Sequence, residues 1–241
     1  MAETISLDFR RPIAVFPLPG TVLLPHAVQP LCIYEPRYRQ MVEHCLARVQ
    51  MGNLLTADPI AIASFAGNTW KSDYEGQPAL KPAVCVGKIV QHQRLPDGRH
   101  NLLLQGVCRA RIRMMLEPSA DRRYRMAQLE PLERVGDPPP PLPGVRVAIK
   151  SLLGGARLQR LSGTAKILEW IARKDVPTHA LLELIGFALI NDEATRYRLL
   201  AEPDPKLRAN LIRTELGHID AVVAKADEQA WKRWPKGVSW N

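Results

Sequence analysis

The residues that could do chemistry are few, and each must be weighed by its type and spacing. Ser162 and Lys166 lie four apart on an expected helix, a spacing at which a lysine amine can activate a hydroxyl. Yet Leu161-Ser162-Gly163-Thr164 reads better as a helix start, where a serine serves as a cap. His179 and Glu183 repeat the spacing without a third ligand nearby; zinc wants three or four, so an exposed hydrogen-bonded pair is expected. Nothing in the sequence around His26 or His44 suggests a second ligand beside either. Gly154-Gly155-Ala156-Arg157 lacks the lysine and hydroxyl of a phosphate-cradling loop, and the nucleophile elbow G-x-S-x-G does not occur. No catalytic residue, no metal site and no cofactor are expected.

Cys32, Cys45, Cys85 and Cys108 sit among apolar neighbours without C-x-x-C spacing, so buried, reduced thiols are expected. No apolar run reaches the ~20 residues that span a bilayer, and the N-terminus lacks the pattern of a signal peptide. A cytoplasmic protein is expected. A net charge of +9 is compatible with a polyanionic partner, and Arg109, Arg111 and Arg113 alternate along one strand as a basic face. The same alternation also describes a merely solvated sheet surface.

Binding, then, must come from large side chains in unusual places. The stretch 66–82 carries Trp70 and Tyr74 among Gly, Asn, Lys and acidic residues, with no periodicity. A tryptophan left in water forgoes about 4–6 kcal/mol of burial. Either the loop folds back over the sheet or it meets a partner, and the two are compatible. Tyr34, Arg37 and Tyr38 flank a Glu-Pro-Arg corner; Tyr38 can equally be core, with Arg37 paired to Glu35. The tail Trp231-Lys232-Arg233-Trp234, ending in Trp240, suits either a membrane interface or packing on its own helices.

The elements that must position these residues fall into two halves. Asp137 to Gly144 is a proline run, a stiff spacer, which sets a β domain at 11–134, a linker at 135–144 and a helical subdomain at 145–241. Upstream, short apolar runs are cut by prolines at 17, 19, 25, 30 and 36. Proline belongs at strand ends, edges and bulges, so the pattern fits a small closed or half-closed barrel. Leu95-Pro96-Asp97-Gly98 reads as a turn, and Gly106 as a kink in the strand that follows. One helix begins at Pro36 and buries Tyr38, Met41, Val42, Cys45, Leu46 and Val49, with a stop at Gly52-Asn53. Downstream the chain reads as helices, the last capped by Asp204 with a stripe through Leu207, Leu211, Leu216, Ile219, Val222 and Val223. That stripe covers about 25 residues, or about 40 Å.

Phe16-Pro17-Leu18-Pro19-Gly20-Thr21-Val22-Leu23-Leu24-Pro25, followed by Glu35-Pro36-Arg37-Tyr38, resembles the N-terminal, substrate-binding domain of Lon proteases, and above all its stand-alone bacterial forms. Val86-Gly87, Leu95-Pro96-Asp97-Gly98 and Gln105-Gly106-Val107-Cys108-Arg109-Ala110-Arg111-Ile112 follow in the family's order. Trp70-x-x-Asp73-Tyr74-x-Gly76-x-Pro78 resembles a loop of the stand-alone members, and Leu199 to Arg208 the segment before the long Lon helix. The resemblance implies an α+β fold, a PUA-like β-barrel with one packed helix followed by an all-α subdomain ending in a long helix. It implies a non-enzymatic protein- or peptide-binding module in protein quality control, holding unfolded or hydrophobic segments; the binding residues expected for it, Trp70, Tyr74, Tyr34, Arg37 and Tyr38, come from the reading of the loop and corner above. Two rivals stay open: an RNA-binding module using Arg109, Arg111 and Arg113, and an adaptor docking on a protease or other assembly.

Overall fold

A computed structural model of the chain describes residues 7–74, 76–133 and 141–229. The proline run at 137–140, with most of the expected linker, and the tryptophan-rich tail lie outside the described residues. The fold is mixed α+β, with one six-stranded sheet and six α-helices among the described residues. It divides into two compact units, Met1–Pro139 with Asn191–Pro203, and Pro140–Ile190 with Asp204–Asn241.

In the first unit the strands are β1 (Ile13–Pro17), β2 (Val28–Ile33), β3 (Ile60–Phe65), β4 (Leu80–Arg94), β5 (His100–Leu116) and β6 (Met126–Pro131). Their order is β2-β5-β4-β3-β1-β6, and β6 pairs again with β5. The pairing thus returns to the strand from which it set out, leaving β2 on the outside of β5. A core cluster draws on every strand of that circuit: Ile13 and Val15, Ala61 and Ala63, Val84 and Val86, Ala110, Ala127 and Leu129. Four of these are alanines, small side chains that let the facing strands pack closely.

The prolines sit at strand ends, at an edge and at a helix start. Pro17 ends β1, and Pro19 enters a turn completed by Gly20 at φ 67°. Pro30 lies in β2, which pairs with β5 alone, so its missing donor is tolerated at an edge. Pro36 occupies the first turn of α1 (Pro36–Leu46), which buries Tyr38, Met41, Val42 and Cys45. The helix ends at Leu46, earlier than the Gly52-Asn53 stop read from the sequence, and Val49 falls beyond it. Gly98, at φ 80°, closes the β4–β5 turn, with the Arg99 N–H donating to Asp97 Oδ1 at 3.1 Å.

Gly106 is where β5 changes register. Gly87 pairs with Gly106 but Val86 with Cys108, so Val107 is a bulge. A Cβ on Gly106 would stand 2.2 Å from the Leu24 carbonyl oxygen. The buried loop Val22–Leu23–Leu24 lies against the strand there, and hydrogen bonds of 2.8 Å run from His26 N–H to Gly106 O and from Gly106 N–H to Ala27 O. Only glycine allows two backbones so close.

Helix α5 (Glu193–Ala201) also belongs to this unit, although the sequence placed it in the helical half. It begins with the Asp192 carboxylate accepting from Thr195 N–H at 2.6 Å. It packs on β4, where the Ala83 N–H donates to the Tyr197 hydroxyl at 2.9 Å.

The second unit holds α2 (Val145–Leu153), α3 (Thr164–Ala172), α4 (Thr178–Leu189) and α6 (Pro205–Glu228). α4 packs on α3 and α6, and α2 on α3 and α6. Asp204 caps α6, accepting from Lys206 N–H at 2.8 Å. Its buried residues are Arg208, Ala209, Ile212 and Leu216; Leu207 and Val222, read as parts of the stripe, are exposed. Arg208 goes inside because it meets Glu183 of α4 at 3.0 Å, both fully enclosed. Glu183 is therefore a buried ion-pair partner, and the exposed pair expected with His179 is corrected. Ser162 lies outside α3, and Lys166 pairs with Glu169 at 2.7 Å. The thiols divide: Cys45 and Cys85 are buried and Cys108 half-buried, but Cys32 is exposed, against expectation, because it sits on the outer face of edge strand β2.

Candidate functional site

The β3–β4 loop carries the aromatic residues that the sequence singled out. Its base is closed by Ala66 N–H donating to Ala79 O at 2.8 Å, and Gly67 turns it with φ 65°. Trp70, on the 3-10 turn Thr69–Lys71, then stacks on Phe65 with centroids 5.0 Å apart and planes 13° apart. Tyr74 stands edge-on to both rings, 6.1 Å from Phe65 and 6.3 Å from Trp70. The loop therefore folds back on the end of β3, and Trp70 and Tyr74 are half-buried. Stacked and edge-on rings contribute about 0.5–1.5 kcal/mol each beyond the area they bury.

The Glu-Pro-Arg corner clasps this loop. The Tyr74 hydroxyl donates to Glu35 Oε1 at 2.7 Å, and Arg37 Nε donates to Glu35 Oε2 at 3.0 Å. Arg37 also donates to the Tyr74 carbonyl at 3.3 Å. Its guanidinium lies over two rings, 4.8 Å from Tyr38 and 5.0 Å from Tyr74. Burial, then the bond to Glu35, push the Tyr74 phenol well above its ordinary pKa. Tyr38 is core, packed 4.5 Å from Phe16. The structure thus joins Trp70, Tyr74, Arg37 and Tyr38 in one cluster. Tyr34 is 64% exposed and takes part in none of these contacts. The sequence missed Phe65, the floor of the cluster; its signal was its place at the strand's end, just before Gly67.

The cleft behind this loop is small, about 30 Å³, and is lined by Arg37, Tyr38, Phe65, Tyr74, Tyr124 and Arg125. A ligand therefore meets the outer rings, or the loop must lift. A second cavity, of about 360 Å³, opens on the other side of Tyr124.

The basic face is less free than the alternation implies. Arg109 is 1% exposed, tied to Glu133 at 2.7 Å and donating to the carbonyls of Leu200 and Leu199 at 3.2 and 3.5 Å. It is a structural tether, and its place on a basic face is corrected: α5 covers it. Arg111 and Arg113 are exposed, with Arg113 3.3 Å from Glu130. Arg94, Arg99 and Arg125 are likewise paired, with Glu43, Asp97 and Glu117. Among the described residues no group of three or more His, Cys, Asp or Glu could hold a metal ion.

The profile of the ATP-dependent protease La (LON) substrate-binding domain matches residues 12–218. The chain belongs to that family. Solved structures agree in fold. The N-terminal domain of Lon protease from the Mycobacterium avium complex is similar with a TM-score of 0.61 at 18% identity, covering 86% of this chain and 98% of its own. A Lon N-terminal domain protein from Xanthomonas campestris is similar with a TM-score of 0.57 at 19% identity, covering 83% and 95%. No curated protein matches. The family's matched region contains the whole aromatic cluster, and no helix among the described residues is long and apolar enough to cross a membrane.

Proposed function

We propose that this chain is a non-catalytic module that holds exposed apolar segments of other proteins, acting in cytoplasmic protein quality control. The family is defined by substrate binding, and the circuit of strands β5-β4-β3-β1-β6 is read as its PUA-like barrel. The observation that carries the reading is the ladder Phe65–Trp70–Tyr74, half-covered and held by one carboxylate and one arginine. Such a surface offers aromatic area to an apolar segment, and the Glu35 and Arg37 contacts hold the loop at hydrogen-bond strength, about 1 kcal/mol each for neutral partners and more for charged ones. Loose clients suit micromolar affinity, about −8 kcal/mol.

The test is binding of a reduced, carboxymethylated model protein, measured by anisotropy against wild type and W70A/Y74A. At least fivefold weaker binding by the double variant, with its melting transition retained, is the expected result. Equal affinity would sink the assignment of this site. The rival RNA reading predicts a steep loss of binding with log [salt], and it is disfavoured because Arg109 is buried and most neighbouring arginines are already paired.

A further inference from the structure

Lys88 is a single lysine inside the apolar run Val84–Val90 of β4, and it is 5% exposed. A buried charge needs a counter-charge or a full set of hydrogen bonds. Its ammonium has three donors, and among the described residues its one acceptor is the Ala57 carbonyl, at 2.5 Å. The nearby Asp58 carboxylate is committed to Arg48 at 3.1 Å. Lys88 lines the 360 Å³ cavity, whose size lies at the lower end of the range for small-ligand sites.

The other charged groups on the cavity wall are exposed to water or already paired. Arg10 holds Asp8 at 2.8 Å, so Arg11, 3.8 Å away and mostly exposed, has only a share of it; Arg48 has Asp58 at 3.1 Å, and His44 Nδ1 lies 3.0 Å from the Tyr124 hydroxyl. Lys88 is thus the buried cation on this wall with no carboxylate of its own. The rest of the wall includes Leu7, Ile13, Ala14 and Met126, which suits a hydrocarbon body. One buried positive charge beside an apolar wall matches a monoanion with a short aliphatic part better than a dianionic phosphate.

We propose that this cavity binds an aliphatic monocarboxylate, its carboxylate seated against the Lys88 ammonium. Two sources carry that chemistry: a free short-chain acid, or the C-terminal carboxylate of a peptide ending in an aliphatic residue. The site is separate from the Trp70–Tyr74 ladder and does not depend on it.

Hexanoate and hexanamide, and the peptide acetyl-Ala-Ala-Leu as free acid and as amide, distinguish these cases by titration of the full chain under NMR observation. Hexanoate is expected to bind at least tenfold more tightly than hexanamide, with shifts centred on Lys88, Ala57 and Met126. Lys88→Met, which keeps the chain's length without its charge, should reduce that ratio to about one while melting no lower than wild type without ligand. Should K88M fail to fold, K88Q and the acid-to-amide ratio of the wild type decide the matter. Tight binding of the acid peptide identifies a chain terminus, and binding of hexanoate alone identifies a free acid. The proposal is overturned if acid and amide bind alike, if neither perturbs the wild type at millimolar concentration, or if the foldable Lys88 variant keeps the discrimination. W70A/Y74A should leave hexanoate binding unchanged, so failure here and failure of the client-binding reading are separable.

Discussion

Replacing Arg109 by methionine removes a guanidinium that serves two carbonyls at the end of α5 and one carboxylate. The stem can still pack, so the loss is concentrated in polar contacts. Leu199 O and Leu200 O lose the donor reaching them, and Glu133, only 35% exposed, loses its partner. Breaking a buried pair from one side costs about 3–5 kcal/mol. The partial exposure of Glu133 lets water replace part of its interaction, so the lower end, about 3 kcal/mol, is the working figure. For a chain of this size that corresponds to a fall in Tm of about 6–12 °C. Guanidinium unfolding of R109M, R111M and R113M, followed by circular dichroism, gives the comparison. R111M and R113M should lie within about 0.5 kcal/mol of wild type, as exposed arginines do. If R109M also stays within 1 kcal/mol, the tether between β5 and α5 is not what the geometry says it is.

Burial lowers the pKa of both His92 and His100, with His100 and Arg94 adding to the shift at His92 and, at His100, Glu43 opposing it while Arg94 and Arg39 add to it; their rings meet at 2.9 Å. The unfolded chain therefore binds protons first, and stability should be full above about pH 6.5 and decline as pH falls through that value. H92Q/H100Q should flatten that limb of a pH–stability curve, and an unchanged slope would assign it elsewhere. A thiol titration on the native protein should find Cys32 reacting quickly, and Cys45 and Cys108, whose pKa values burial pushes up to about 12, reacting only slowly or on unfolding. Two glycine replacements should differ in sign. G106A should destabilise by about 3 kcal/mol through the Leu24 clash, whereas G217A, on α6 with nothing near its Cβ, should stabilise by about 0.5–1 kcal/mol. Equal melting temperatures would refute the contrast.

Local signals were legible wherever a single residue decides the backbone. Pro36 started α1, Asp97-Gly98 made its turn, Asp204 capped α6, and Gly106 marked the kink. The alternation of Arg109, Arg111 and Arg113 is visible in the sequence, but the bulge between Ile112 and Met114 interrupts it. What it could not reveal was the cover: α5 returns from 90 residues downstream and lies over the first arginine but not the other two. The stripe of α6 held only in part: Leu216 is buried and Leu211, Ile219 and Val223 half-buried, but Leu207 and Val222 are exposed. Arg208 looks like a surface residue until Glu183 is brought beside it by packing. Return of the pairing from β6 to β5 is likewise a long-range event. The aromatic loop was half-legible: a tryptophan in a polar loop demanded a partner, but only the fold-back shows that the partner is Phe65, at the end of β3.

The sheet unit is discontinuous in sequence, since residues 191–203 complete it, and this bears on dissection. A fragment cut at the proline run would leave Arg109 without the α5 carbonyls and Ala83 without the Tyr197 hydroxyl. Such a piece is expected to misfold or aggregate, for want of a thirteen-residue return segment. A faithful miniature would splice that segment back on through a short bridge, omitting the intervening helices.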